Sequence, residues 1–281
     1  MGLFTPNYNK PGKGIEKDAP QKRRIWQFFE IIREQYSKLI LANILYSLFM
    51  LPLMVGIMLC FGIDFSAPSI IVFKNNMIDL VGLICLIISI FVSFPATLGF
   101  TYILRNVQRW QHAWIWHDFI KHTKKSYWQG VVNGVVTLLC YFFFIFAYGA
   151  YRSGIINLGI YNYPLSIVML LCILVFTWMQ FYVNTMIVTF DLKMKQVYQN
   201  AFIFAIAKLP LNILISLICI VLFYLLLLIP IPFITFFLTF IIWYSLFGFI
   251  VVFGVYPSID KHMLSKVEQT PVENEEIEEQ L

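Results

Sequence analysis

Apolar residues in this chain gather into long blocks, at 39–62, 78–103, 131–151, 164–190 and 209–256, with most of the charge confined to the stretches between and around them. A helix needs about 20 apolar residues to cross the roughly 30 Å of hydrocarbon in a bilayer. The first four blocks have that length. The fifth, at roughly 1.5 Å per residue, would run more than twice the membrane thickness as one helix. It contains Pro230-Ile231-Pro232, which removes two backbone donors and obstructs a continuing helix. The pattern therefore predicts a tight hairpin there, with spans at 209–229 and 233–256. The expected fold is all-α: a polytopic transmembrane helical bundle of about six spans over 39–256. Interfacial amphipathic helices are expected on the cytoplasmic side. A basic cytoplasmic arm, 1–38, precedes the bundle and an acidic cytoplasmic tail, 257–281, follows it.

Composition supports lipid as the main solvent. The 281 residues are 60% hydrophobic and only 12% charged, against roughly 45–50% and about 25% in soluble domains. The polar arm is too long, and the block after it too extended, for a cleaved signal peptide. Pro6 stands where a myristoylation motif needs Ser or Thr, so the first span is expected to be a permanent anchor. All five cysteines lie in apolar runs without a C-x-x-C pair, which points to structural thiols rather than a disulfide frame or a zinc site.

Charge gives the threading. With the N-terminus inside, every Lys and Arg of the 20 except Lys74 and Arg152 falls in the arm, the inner connectors or the tail. Basic residues are retained on the cytoplasmic side, and an even number of spans then places both termini there. A weak repeat runs through the resulting hairpins. Phe28–Tyr36–Asn43 resembles Phe119–Tyr127–Asn133, and Phe202–Lys208–Pro210–Asn212 is a looser third copy. Each copy would be an interfacial helix leading into two spans, although apolar sequence also produces such matches by chance.

The connector from Thr101 to His122 concentrates Trp, His and Arg. On one helix Trp110, Trp114, His117 and Lys121 form a row. One reading is an interfacial amphipathic helix with its indoles in the aromatic belt. The other is that Arg105, Asn106, Arg109, His112 and Asp118 line a cytoplasmic mouth or contact a partner or ligand. His112, His117 and His122 are five apart and turn away from one another on a helix, so no metal site is expected.

Inside the spans no Asp, Glu, Lys or Arg occupies a central position. That counts against a proton-coupled pump or a channel with charged rings. Neutral groups form rows instead. Ser89, Ser93, Thr97, Thr101, Arg105 and Arg109 recur every four residues, and Thr177, Gln180, Asn184 and Asp191 share one side of their helix. Such groups either pack helices together or line a polar cavity; Ser93, Thr97, Thr101, Gln180 and Asn184 are the candidate lining. No phosphate loop, H-E-x-x-H, G-x-S-x-G or intramembrane carboxylate pair is present, so the expectation is a non-enzyme without cofactors. Nothing points to nucleic acid. The acidic run Glu268 to Glu279 reads as a solvated tail.

Several spaced motifs resemble the YesL-like family of bacterial integral membrane proteins, a domain of unknown function. They are Gly2-Leu3-Phe4, Pro6, Tyr8, Lys10-Pro11-Gly12, Gly14 and Pro20, then Ala96-Thr97-Leu98-Gly99 and Thr101-Tyr102-Ile103-Leu104-Arg105-Asn106. His112-Ala113, Trp116, Asp118-Phe119 and Trp128 follow in order. Trp110-Gln111 stands where the family commonly carries acidic residues. The resemblance implies a place in the cytoplasmic membrane of Gram-positive bacteria, accessory to a carbohydrate uptake or sensing system. Sugar ABC transporter subunits or a membrane sensor kinase would be its partners. The alternative is a sugar transporter or facilitator in its own right.

Overall fold

A computed structural model describes residues 23–61, 77–111, 114–153, 155–156 and 158–264. His112, most of the arm and the acidic run of the tail lie outside these residues. Six helices among the described residues are long and apolar enough to cross a membrane: Arg24–Cys60, Leu80–Gln108, Tyr127–Ser153, Gly159–Thr189, Leu209–Leu227 and Ile234–Met263. The chain is a multi-pass membrane protein with a helical-bundle fold.

The helices are α1 (Arg24–Phe61), α2 (Met77–Gln108), α3 (Ile115–Lys125), α4 (Tyr127–Ser153), α5 (Asn162–Thr189), α6 (Met194–Ala207), α7 (Leu209–Leu227), α8 (Pro232–Leu238) and α9 (Tyr244–Ile259). The break between α7 and α8 falls at the expected prolines. A π-helical stretch, Thr239–Trp243, joins α8 to α9 and makes them one span. Two sequence expectations are modified. The helix that carries the first span starts ahead of residue 39, with α1 running unbroken from Arg24. Its early turns carry Phe28, Ile31 and Ile32, which pack on the core, and this contact holds a segment that is polar in composition in one helix with the span.

The Trp-rich connector is also not one helix. The α2 helix ends at Gln108, Trp110 takes a left-handed φ of 55°, and α3 begins only at Ile115. Trp110 and Trp114 therefore do not share a helical row. The restart is fixed by Asp118, whose Oδ2 accepts the Trp114 N–H at 2.9 Å and satisfies a donor the helix start leaves unpaired. On α3 itself Ile115 and Phe119 are buried while Trp114 and Trp116 are exposed, as an interfacial amphipathic helix requires.

Helices α2, α5 and α9 touch one another and form an inner trio; α1, α4 and α7 stand outside it. The three hairpin units are legible in this arrangement. In each, a leading helix sits on the inner helix of the preceding unit: α3 on α2, α6 on α5, and the start of α1 on α9, where Phe28 stacks on Phe249 at 5.4 Å. The three asparagines that mark the repeat are all buried, Asn43 and Asn212 completely and Asn133 to 3% exposure. Asn212 donates to Ala205 O at 2.9 Å and accepts from Tyr182 at 2.8 Å, tying α7 to α6 and α5.

Close approaches fix the spacing. A Cβ on Gly99 would lie 2.5 Å from the Phe119 carbonyl oxygen and against Thr123 Oγ1, so only glycine lets α3 lie on α2 here. Gly99→Val is expected to lift α3 off the bundle. Overpacking costs about 1–3 kcal/mol, enough to speed amide exchange in α3 by roughly tenfold or more, with α7 unchanged. Exchange in α3 at the wild-type rate would contradict this packing account.

Candidate functional site

Four of the five candidate lining residues meet at one place. Thr97 and Thr101 on α2 and Gln180 and Asn184 on α5 border a cavity of about 250 Å³ between the inner helices, closed on the third side by Tyr244, Phe247 and Gly248 of α9. Gly248 permits the approach: a Cβ there would stand 2.6 Å from Leu104 Cδ1. Tyr46 reaches in from α1, its hydroxyl 3.0 Å from Thr97 Oγ1, with its ring stacked on Phe100 at 4.1 Å.

Most of the polar groups are already committed. Thr101 Oγ1 donates to Thr97 O at 2.7 Å. Asn184 Oδ1 accepts from Asn133 Nδ2 at 3.1 Å, and Asn133 Oδ1 accepts from the Tyr198 hydroxyl at 2.5 Å. Burial pushes the Tyr198 hydroxyl up to about 12, eased by the neighbouring Gln180 amide, so it remains a donor near neutral pH. Asn184 is thus both cavity wall and the link of α5 to α4 and, through Asn133, to α6. Gln180 differs: its Nε2 is buried with no hydrogen-bond partner among the described residues. A buried amide left in this state is uncommon, and here it borders a cavity whose walls are mainly apolar.

Ser93, the fifth candidate, is not part of this lining. Its hydroxyl donates to Phe49 O of α1 at 2.7 Å. Successive steps of four residues advance about 40° around a helix, so the Ser/Thr row turns from α1 at Ser93, through the cavity at Thr97 and Thr101, to α5 at Arg105.

The candidate partner-contact residues do not form one surface. Arg105 Nη1 donates to Val188 O at 2.8 Å and contacts Thr189 Oγ1 at 3.3 Å, bridging α2 to the end of α5. Asn106 is 3% exposed. Arg109 lies over the Tyr256 ring of α9 at 5.8 Å, and Asp118 caps α3. These positions are used largely within the bundle because the end of α2 is enclosed by α3, α5 and α9.

His122 stacks on Tyr102 with ring centroids 3.3 Å apart. Burial, opposed by Asp118 but reinforced by Arg105, Lys125 and Lys121, lowers it from 6.5 to about 4. The unfolded chain therefore binds the extra proton first. Stability is fully present above about pH 6.5 and is lost as pH falls toward about 4. Unfolding midpoints measured over this range should fall less steeply in His122→Phe, which keeps a ring against Tyr102. Equal slopes would contradict the assignment.

The model of a family described as "Protein of unknown function, DUF624" matches residues 39–148. That stretch is similar to the DUF624 family. The YesL-like resemblance fits it, and the arm motifs lie ahead of the matched residues. No curated protein and no solved structure matches the chain. The DUF624 stretch supplies Tyr46, Thr97, Thr101, Arg105 and Asn133; Gln180, Asn184, Tyr198 and Tyr244 come from beyond it. Asn133, Tyr198 and Tyr244 were not candidates in the sequence. Asn133 carried a signal as a repeat marker, whereas Tyr244, an aromatic residue in an apolar block, and Tyr198, in the connector between two blocks, carried none.

Proposed function

We propose that the protein binds a small uncharged polar solute, of sugar or polyol type, in the cavity between α2, α5 and α9, and acts as a facilitator for it. The observation that carries this reading is Gln180 Nε2, buried without a close hydrogen bond among the described residues, beside hydroxyls and aromatic rings in an otherwise apolar cavity. Pockets that recognise small molecules combine mainly apolar walls with a few placed polar groups. A volume of about 250 Å³ suits a small solute. In this reading the protein is not an enzyme and lies in the bacterial cytoplasmic membrane. Its basic end and both termini face the cytoplasm, in keeping with the distribution of Lys and Arg.

A second reading is an accessory of a carbohydrate uptake or sensing complex. It is supported by the family resemblance and by exposed side chains on and just ahead of α3, namely Trp114, Trp116, Lys121, Lys124 and Lys125. Its partners would be sugar ABC transporter subunits or a membrane sensor kinase. Uptake of labelled monosaccharides and polyols into proteoliposomes separates the two. Saturable uptake supports the facilitator. No uptake and no binding across the panel would sink it and leave the accessory reading, for which crosslinking through those lysines in native membranes should recover a partner.

A further inference from the structure

The basic end of the inner trio has a second concentration of unused polar chemistry. Arg105 in the last turn of α2 and Arg109 just beyond its end lie four residues apart, and neither has a carboxylate within ion-pair distance among the described residues. Arg105 uses Nη1 on the end of α5, while its Nε is buried without a hydrogen-bond partner among the described residues. Its guanidinium lies 4.8 Å from the Tyr102 ring centroid. Arg109 is exposed and lies over the ring of Tyr256. Tyr256 is 6% exposed, and its buried hydroxyl makes no close hydrogen bond among the described residues, although the Asp260 carboxylate neighbours it as an acceptor. Both arginines and Asp260 are within electrostatic reach of that hydroxyl.

The donors therefore belong to two cations and a phenol drawn from the end of α2, the turn after it and α9, with Arg109 on the exposed side. Guanidinium groups match tetrahedral oxyanions because their planar forks give several charge-assisted bonds. Exposed Asp260 supplies a negative charge close to the Tyr256 hydroxyl and sits where it would repel an incoming anion. We propose that Arg105, Arg109 and Tyr256 form a phosphate-type oxyanion site at the basic end of the bundle, with Asp260 as its built-in competitor. The phosphate comes either from a soluble phosphate or from the headgroup of an anionic lipid.

The test uses the purified full-length protein in an uncharged detergent. Inorganic phosphate is titrated by calorimetry, and retained phosphatidylglycerol is measured by native mass spectrometry. Arg109→Gln and Tyr256→Phe change an exposed side chain and a single hydroxyl, so both should fold. Each should weaken phosphate binding, or lower lipid retention, by about tenfold, the scale for loss of a bond to a charged group. Asp260→Asn should strengthen it several-fold. Phosphate binding identifies the soluble source; lipid retention without phosphate binding identifies the headgroup. Gln180→Leu should leave both readouts unchanged, which separates this site from the central cavity. Failure of both ligands to bind, or binding indifferent to Arg109→Gln and Tyr256→Phe, would overturn the proposal.

Discussion

Asn43→Leu is expected to lower the thermal unfolding midpoint in detergent more than any other single polar substitution within the spans. Asn43 is completely buried and acts on the π-helical stretch of the last span. Its Nδ2 donates to Thr239 O at 3.0 Å and Phe240 O at 2.7 Å, and its Oδ1 accepts the Ser245 N–H at 2.7 Å. A π-turn frees backbone groups from the regular helical ladder, and lipid offers no replacement partner. An ordinary interhelical side-chain bond in a membrane protein is worth only about 0.6 kcal/mol on average. Leucine here would strand three backbone groups at roughly 1–3 kcal/mol each, so a loss on the order of 3–5 kcal/mol follows. Ser47 makes only long contacts to the same region, 3.3 Å and 3.4 Å, and Ser47→Ala should be close to neutral. Melting followed by circular dichroism checks both. An Asn43→Leu midpoint within a few degrees of wild type would show that the π-stretch does not depend on this amide.

The second large effect is functional. Gln180→Leu is expected to abolish saturable solute uptake while leaving the unfolding midpoint nearly unchanged. The separation is possible because Gln180 Nε2 has no close hydrogen bond to lose among the described residues and only neighbours the Tyr198 hydroxyl. A single well-placed hydrogen bond to an uncharged group contributes on the order of 1 kcal/mol. In a mainly apolar cavity, removing the donor also strands the solute's acceptor, so a loss of tenfold or more is expected. Asn184→Leu should abolish uptake as well, but at a cost in stability, because it orphans Asn133 Nδ2. Thr101→Val should be mild in stability, since its hydroxyl bonds only back to its own helix. Unaltered uptake in Gln180→Leu, with wild-type uptake established, would remove the cavity from the mechanism.

The span count, the hairpin at Pro230 and Pro232 and the amphipathic character of α3 were legible along the chain. Each depends on the length and polarity of a local stretch, and lipid enforces both. Local pattern failed where tertiary contact supplied the deciding energy. Phe28 packing on α9 extends α1 backward to Arg24, and the turn at Trp110 divides the Trp-rich connector. The candidate site was half legible. Large amides in an apolar block had to find protein or solute, which marked Gln180 and Asn184. The side of α2 on which each hydroxyl lands depended on how that helix is rotated.

The sequence by itself determined that this chain crosses a membrane in three basic-ended hairpins, because burying charge in hydrocarbon or exposing apolar blocks to water is too costly for any other threading. Only the tertiary structure decided that the second helix of each hairpin lies inside. It also decided that the repeated asparagines lock neighbouring units, and that Thr101, Gln180 and Tyr244 face one cavity. Those outcomes rest on helix rotation and order around the inner trio. Close approaches at glycines and a few buried amide bonds set both, between residues as distant in sequence as Asn43 and Ser245.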